Sequence, residues 1–336
     1  MASDRAPVGA VIGSSLPPEL IAPTAKKVED LGFGEIWAPE DYFFNGGIAS
    51  AAAILGATQS IPVGLGIISV MARHPAVSAM EIATLERLYP GRLMPGFGLG
   101  VPHWVGQMGL MPKSTLAALR EGVGGVRRLL AGEEVTEEGR IFSFDAIKLV
   151  HPPQRVPGLH MGVVGPKMLN LSGEVADGTI ISVLAGTDYV RWLGERVAEG
   201  QAKAGRTGDP HKVTTFALYA PDLDGEKAKA VIRPVTAFYL ATMAESALAS
   251  VYGITDELTD MVTRGGGDAA DLVAREMPDQ WVEDLVIAGT PDECADKIQA
   301  LLDAGSDSVA LFPFPEDRAG EVLELTAREV LPRLRG

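Results

Sequence analysis

The sequence predicts an α/β fold closed into a (β/α)8 barrel, and two observations carry that prediction. First, apolar runs of strand length alternate with segments of helical period from residue 8 to residue 334. The runs are apolar at nearly every position, as in strands buried on both faces, and all-parallel sheets bury both faces. Second, eight such runs can be counted along the 336 residues. Eight βα units close a barrel, whereas five or six leave an open sheet.

The strands are expected at residues 8–12, 35–38, 63–68, 93–98, 161–164, 179–183, 213–219 and 309–312. Helical periodicity places the intervening helices at 17–31, 47–58, 76–88, 115–130, 167–176 and 188–204. Met71-Ala72-Arg73-His74-Pro75 follows the glycine-spaced third strand. Pro75 opens the next helix, which closes at Tyr89-Pro90-Gly91-Arg92. The fourth strand then runs into Gly98-Leu99-Gly100. Two neighbouring strands therefore present bare backbone at one rim, where α/β proteins place their ligands. Asp177-Gly178 reads as a helix-to-strand turn at the opposite rim, where Arg92 is expected to pair with an acid. In the last unit Thr290-Pro291-Asp292-Glu293 gives an N-cap, a first-turn proline and an acid three residues after the cap. That helix is expected over 293–304, Gly305 ends it, and a closing helix is expected over 319–334.

The barrel is expected to form one domain over 1–336 with two insertions, at about 131–157 and 221–283. The first is charged, then β-like at 140–144 and 147–150. The second is mostly helical and is broken at Gly265-Gly266-Gly267. Long insertions in compact domains are usually lids or binding loops.

Composition narrows the function. Hydrophobic residues make up 46% of the chain, enough for a large core. A net charge of −15 argues against nucleic acid and anionic membrane as partners. No apolar stretch reaches the roughly 18 residues of a membrane span. Met1–Ala6 carries Asp4 and Arg5 and shows no targeting pattern. The single cysteine, Cys294, suits a reducing, cytoplasmic setting. The five histidines lack metal-ligand spacing, so no metal is expected. P-loop, nucleophile-elbow and dinucleotide fingerprints are absent from the sequence.

Gly165-Pro166-Lys167-Met168 follows a strand and starts a helix. Free N–H groups and the helix dipole make such a turn an anion site. Glu40 and Asp41 end the second strand and could orient a ligand or relay a proton. His103, with its near-neutral ordinary pKa, is a further candidate proton donor, and Trp104 could line the same pocket.

Several motifs in order resemble one known group. They are Asp30–Trp37 with Glu40-Asp41-Tyr42, Arg73-His74-Pro75, Gly91-Arg92, Gly96-Phe97-Gly98, Gly165–Met168 and Gly173–Gly178. Together they resemble the bacterial luciferase-like flavin and deazaflavin oxidoreductases. The branch they look closest to contains coenzyme F420-dependent methylenetetrahydromethanopterin reductase and glucose-6-phosphate dehydrogenase. The resemblance implies an F420-dependent oxidoreductase moving a hydride between the deazaflavin C5 and a small organic substrate. It leaves open a reduced-FMN monooxygenase and a flavin-binding protein without turnover. It implies a cofactor phosphate at Val164, Gly165, Pro166 and Lys167, and contacts from Glu40, Met71, Gly98 and Gly100. It also implies a non-prolyl cis peptide within Gly66, Ile67, Ile68 and Ser69, under the ring. Glu40, Asp41 and His103 become the catalytic candidates. Two acids stand where relatives carry an acid and often a histidine. Val101 stands where the sugar-phosphate enzyme has a glutamate, so that chemistry is not expected. The relatives are often dimers, and an apolar face on the early helices suits a homodimer.

Overall fold

A computed structural model describes residues 6–334. The expectation about Met1–Ala6 falls, except for Ala6, outside the described residues. The barrel strands are β1 (Val8–Val11), β2 (Glu35–Ala38), β3 (Val63–Ser69), β4 (Leu93–Gly98), β7 (His160–Gly162), β8 (Gly178–Ile181), β9 (Lys212–Pro221) and β11 (Ser308–Pro313). They pair in parallel in that order, and β11 returns to β1 to close the ring. These are the eight strands the sequence predicts.

The wall helices are α1 (Ile21–Asp30), α2 (Gly47–Ala57), α3 (Pro75–Leu88), α5 (Thr115–Leu130), α6 (Pro166–Val175), α7 (Thr187–Lys203) and α13 (Pro291–Asp303). A short α4 (Pro102–Gln107) follows β4. Local chemistry sets their ends. His74 caps α3: its Nδ1 accepts from the Ala76 N–H and its Nε2 donates to the Ser143 carbonyl. Thr290 and Glu293 form the expected capping box on α13. The closing helix is regular only over α14 (Ala319–Leu325), then widens and tightens over the next two turns.

Both insertions are structured. The first forms an antiparallel hairpin of β5 (Val135–Glu138) and β6 (Ser143–Ile147). The strands sit earlier than the apolar runs suggest, because β5 is solvated at Thr136, Glu137 and Glu138 and so carries no apolar run. Ala146 takes a left-handed φ of 50°, and the extended chain ends just beyond it. The second insertion holds α8 (Gly225–Thr242), α9 (Ala247–Ser250), α10 (Thr255–Gly265), α11 (Ala269–Glu276) and α12 (Asp279–Leu285). It carries its own apolar core around Ile232, Leu258 and Trp281. Gly266 turns the corner between α10 and α11 at φ 52°. A ninth parallel strand, β10 (Ile287–Gly289), pairs with the end of β9 and has no counterpart among the eight expected strands.

Inside the ring, Trp37 is fully buried. Its indole donates to Glu35 at 2.8 Å, and Glu35 also pairs with Lys212 and accepts from Ser308. A buried acid in the barrel is thus matched by a cation and two donors. At the amino-terminal rim Asp177 binds the Leu159 N–H, Arg127 and Arg206, as a helix-to-strand turn should. Arg92 donates to the carbonyls of Leu55, Thr58 and Ile61 and to the Thr58 hydroxyl, tying α2 to the start of β3.

Two histidines make this core sensitive to acid. Burial, reinforced by Lys212, holds the His160 imidazole down to about 4. Burial, reinforced by Arg206, does the same to His211. Both titrate near 6.5 when unfolded. Between pH 6.5 and 4 the unfolded chain therefore binds more protons than the folded one, so stability is full above 6.5 and falls as the pH drops through that window. The loss at pH 4 is of order 3 kcal/mol per histidine. The urea midpoint should drop between pH 7 and pH 4.5, and His160→Leu should remove about half of the drop. A midpoint that does not move would contradict the assignment.

Candidate active site at the carboxyl end of the barrel

Each βα unit places a loop at the carboxyl ends of the strands, and the candidate residues sit there. Glu40 follows β2. Its side chain is only 3% exposed and is fully committed. Arg73, in the loop after β3, grips both carboxylate oxygens at 2.7 Å, and the Gly47 N–H donates to the same group at 2.9 Å. Arg73 also lies 3.4 Å from Glu81 on α3. Glu40 therefore ties the loops after β2 and β3 to the start of α2. Asp41 is free of that pair. It accepts a 2.6 Å hydrogen bond from the Ser14 hydroxyl in the loop after β1.

β3 supplies the base of the site. The Gly66–Ile67 peptide is cis, inside the stretch where the family resemblance implies one, and the β3–β4 register shifts between Leu65 and Ile68. The Ile67 side chain turns into the barrel. A methyl group on Gly98 would collide with its Cδ1, and one on Gly162 would come within 2.5 Å of its Cγ2. The glycines of β4 and β7 therefore make the seat that Ile67 fills. Phe216, Phe312 and Ile180 complete this apolar layer. Ile68 abuts Gly47 on α2. Ser69 donates to the Leu99 carbonyl at 2.7 Å and accepts from the Met71 N–H, and Gly100 lies against it at φ 81°.

Across the mouth, Val164 accepts from the Tyr189 hydroxyl at 2.7 Å. Gly165 is the N-cap of α6, Pro166 is its first residue, and no side chain caps it. Nothing lies within 4 Å of the position a Gly165 Cβ would take. Lys167 is exposed beside it. This is an open, uncapped helix start next to a cation, suited to a phosphate. Residues 40, 67, 98 and 165 thus share one end of one barrel.

His103 lies on α4 at the same rim and is exposed. Three further polar groups, Tyr42, Tyr239 and Ser14, have no role assigned from their sequence context. The Tyr42 hydroxyl is buried near Ser69 without a hydrogen bond of ordinary geometry, and burial pushes its pKa up. Tyr239, from α8, has its hydroxyl pushed up to about 12 by burial and then by Asp41 and Glu316. Ser14 earns notice only through Asp41. Tyr42 adjoins the two acids in the motif already named; Tyr239 is separated from Asp41 in the chain by five of the eight barrel strands, and no local signal joins them.

A cavity of about 240 Å³ lies outside the barrel wall, between the start of α7, β10 and α13, lined by Asp188, Tyr252, Glu283 and Lys297 among others. It contains none of the candidate residues. Among the described residues no cluster of three metal-ligating side chains occurs, and no helix is long and apolar enough to cross a membrane.

Comparison with known proteins agrees with this architecture. Residues 7–308 match the family model of luciferase-like monooxygenases. The chain is 32% identical over 317 residues to 5,10-methylenetetrahydromethanopterin reductase of Methanolobus tindarius, covering 93% of this chain and 95% of that one. It is 29% identical to the F420-dependent glucose-6-phosphate dehydrogenase of Nakamurella multipartita, covering 95% and 93%. The coenzyme F420-dependent tetrahydromethanopterin reductase of Methanopyrus kandleri superposes with a TM-score of 0.85 at 25% identity, covering 98% of this chain and all of that one. The chain is an enzyme that belongs to the luciferase-like monooxygenase family.

Proposed function

We propose that this protein is a coenzyme F420-dependent oxidoreductase that transfers a hydride between the deazaflavin C5 and a small organic substrate. The observation that carries the reading is the convergence of an apolar floor, an ordered acid–arginine pair and an open helix start at one barrel mouth. The relatives named for F420 support the choice of cofactor. The residues fit such a group. Ile67 in its glycine seat offers a flat apolar contact, the buried Tyr42 hydroxyl near Ser69 offers a polar one, and Gly165 leaves room for phosphate over the α6 N–H groups.

When bound, the deazaflavin supplies two-electron chemistry, so the protein has to position, orient and exclude water. In this reading Ile67, Gly98 and Gly100 hold the ring, with Ser69 and Met71 fixing the backbone beneath it. Gly165, Pro166 and Lys167 hold the phosphate. Arg73 and Glu40 lock the loops on which Asp41 is carried. Asp41, with the Ser14 hydroxyl, holds or passes the proton that accompanies the hydride. His103 stands at the rim as the other proton-bearing candidate. The test is a fluorescence titration of the protein with F420 and with FMN. Tight F420 binding is expected. FMN binding without F420 binding would overturn the reading in favour of a flavin monooxygenase.

We also propose a homodimer through the outer faces of α2 and α3. Val77, Met80, Thr84 and Leu88 form an exposed stripe on α3, and Ala49, Ala53 and Gly56 form a small-residue face on α2. An apolar patch of this kind on a folded chain marks an interaction surface. Met80→Glu should shift the protein from dimer to monomer in light scattering coupled to gel filtration. A wild-type monomer at micromolar concentration would contradict the proposal.

A further inference from the structure

The barrel mouth has a second, apolar part that the cofactor reading does not use. Phe43 and Phe44 in the loop after β2 are 68% and 59% exposed, and Val101 and Met111 flank α4 in the same state. The rings of Phe44 and Trp104 meet edge to face, with centroids 6.3 Å apart, so the loops after β2 and β4 join into one shelf. Tyr42 stacks beside Phe43 and carries the shelf inward to Ser69. Large apolar side chains left bare at a site, next to a few fixed polar groups, are how small-molecule pockets are lined.

The charge at the inner edge is negative. Asp41 sits there, held by Ser14, and Asp41 and Glu316 together act on the Tyr239 hydroxyl. Arg73 is committed to Glu40 and Glu81 and offers no free guanidinium to an incoming anion. A phosphorylated or carboxylated substrate would meet the Asp41 carboxylate at this edge, with Arg73 already engaged, whereas a neutral ring would meet aromatic faces.

We infer that the substrate taken at this mouth is an uncharged, planar, largely apolar molecule, gripped by Phe44 and Trp104 with its single polar group toward Asp41. Phe44 and Trp104 are then the specificity-determining residues. The inference rests on the proposed oxidoreductase reading for the identity of the mouth as a substrate site, and it is testable without the cofactor.

Calorimetric titration with 2-naphthol and with 2-naphthyl phosphate compares one aromatic body with and without charge. The naphthol is expected to bind at least tenfold more tightly. Phe44→Ala and Trp104→Ala should each weaken naphthol binding about fivefold or more, and Trp104→Phe should restore most of it, with circular dichroism unchanged in all three. Equal or tighter binding of the phosphate, or wild-type naphthol affinity in both alanine variants, would overturn the inference. F420 titration in parallel separates the two readings. Naphthol behaving as expected with no F420 binding removes the cofactor reading and keeps the apolar shelf. F420 binding with naphthol indifferent to both alanine substitutions removes the shelf alone.

Discussion

Arg73→Ala is expected to destabilise the protein by about 3–5 kcal/mol and to weaken F420 binding sharply. The first effect follows from burial. Glu40 is almost completely enclosed and both of its oxygens rest on Arg73. Removing the guanidinium strands a carboxylate out of water, and breaking a buried pair from one side costs about that much. The second effect follows from position. Glu40 lies just beyond β2, Arg73 lies just beyond β3, and the Gly47 N–H starts α2, so the pair fixes three segments of the mouth at once. The double substitution Arg73→Ala with Glu40→Gln removes the stranded charge and should recover about half of the lost stability while leaving cofactor affinity low. Urea unfolding and F420 titration measure the two effects separately. A loss below about 1 kcal/mol for Arg73→Ala would mean that the pair is solvated and adds little, as surface pairs do.

Gly98→Val is expected to lower F420 affinity at least a hundredfold. The added carbons would occupy the space of the Ile67 Cδ1 and approach the Gly162 carbonyl within 3.0 Å. Ile67 would have to leave its seat and rise into the mouth. Overpacking of this kind costs about 1–3 kcal/mol in stability, but the larger consequence is loss of the flat floor. Ile67→Ala combined with Gly98→Val gives the valine the vacated volume. That pair should regain stability in urea without regaining affinity. Wild-type F420 affinity in Gly98→Val would show that the floor plays no part in binding.

Much of the barrel was legible in the sequence because its strands are buried on both faces. A run such as Val63-Gly64-Leu65-Gly66-Ile67-Ile68 needs no partner to announce itself as a parallel strand. Helix starts were legible where the cap is local, as at His74-Pro75, Gly165-Pro166 and Thr290-Pro291. β10 escaped because three residues paired to the tail of β9 carry no period of their own. The hairpin of β5 and β6 was misplaced by a few residues because the solvated residues of β5 read as charged loop. At the site, residue positions followed from strand ends, but their partners did not. Glu40 and Asp41 are chain neighbours of the same charge, yet one is locked by Arg73 and the other meets Ser14. That division depends on how β1, β2 and β3 lie side by side, which no local window of sequence contains. The approach of Tyr239 to Asp41 is longer-range still, since it depends on where the second insertion folds back over the barrel.

A crystal structure of the protein soaked with F420 shows directly where the cofactor lies. The deazaflavin ring is expected against Ile67, between the Glu40–Arg73 pair and Gly98, with its phosphate on the N–H groups at Gly165 and Lys167. Electron density for the cofactor at the amino-terminal rim, in the side cavity lined by Lys297 and Tyr252, or with the ring and phosphate exchanged, would contradict it.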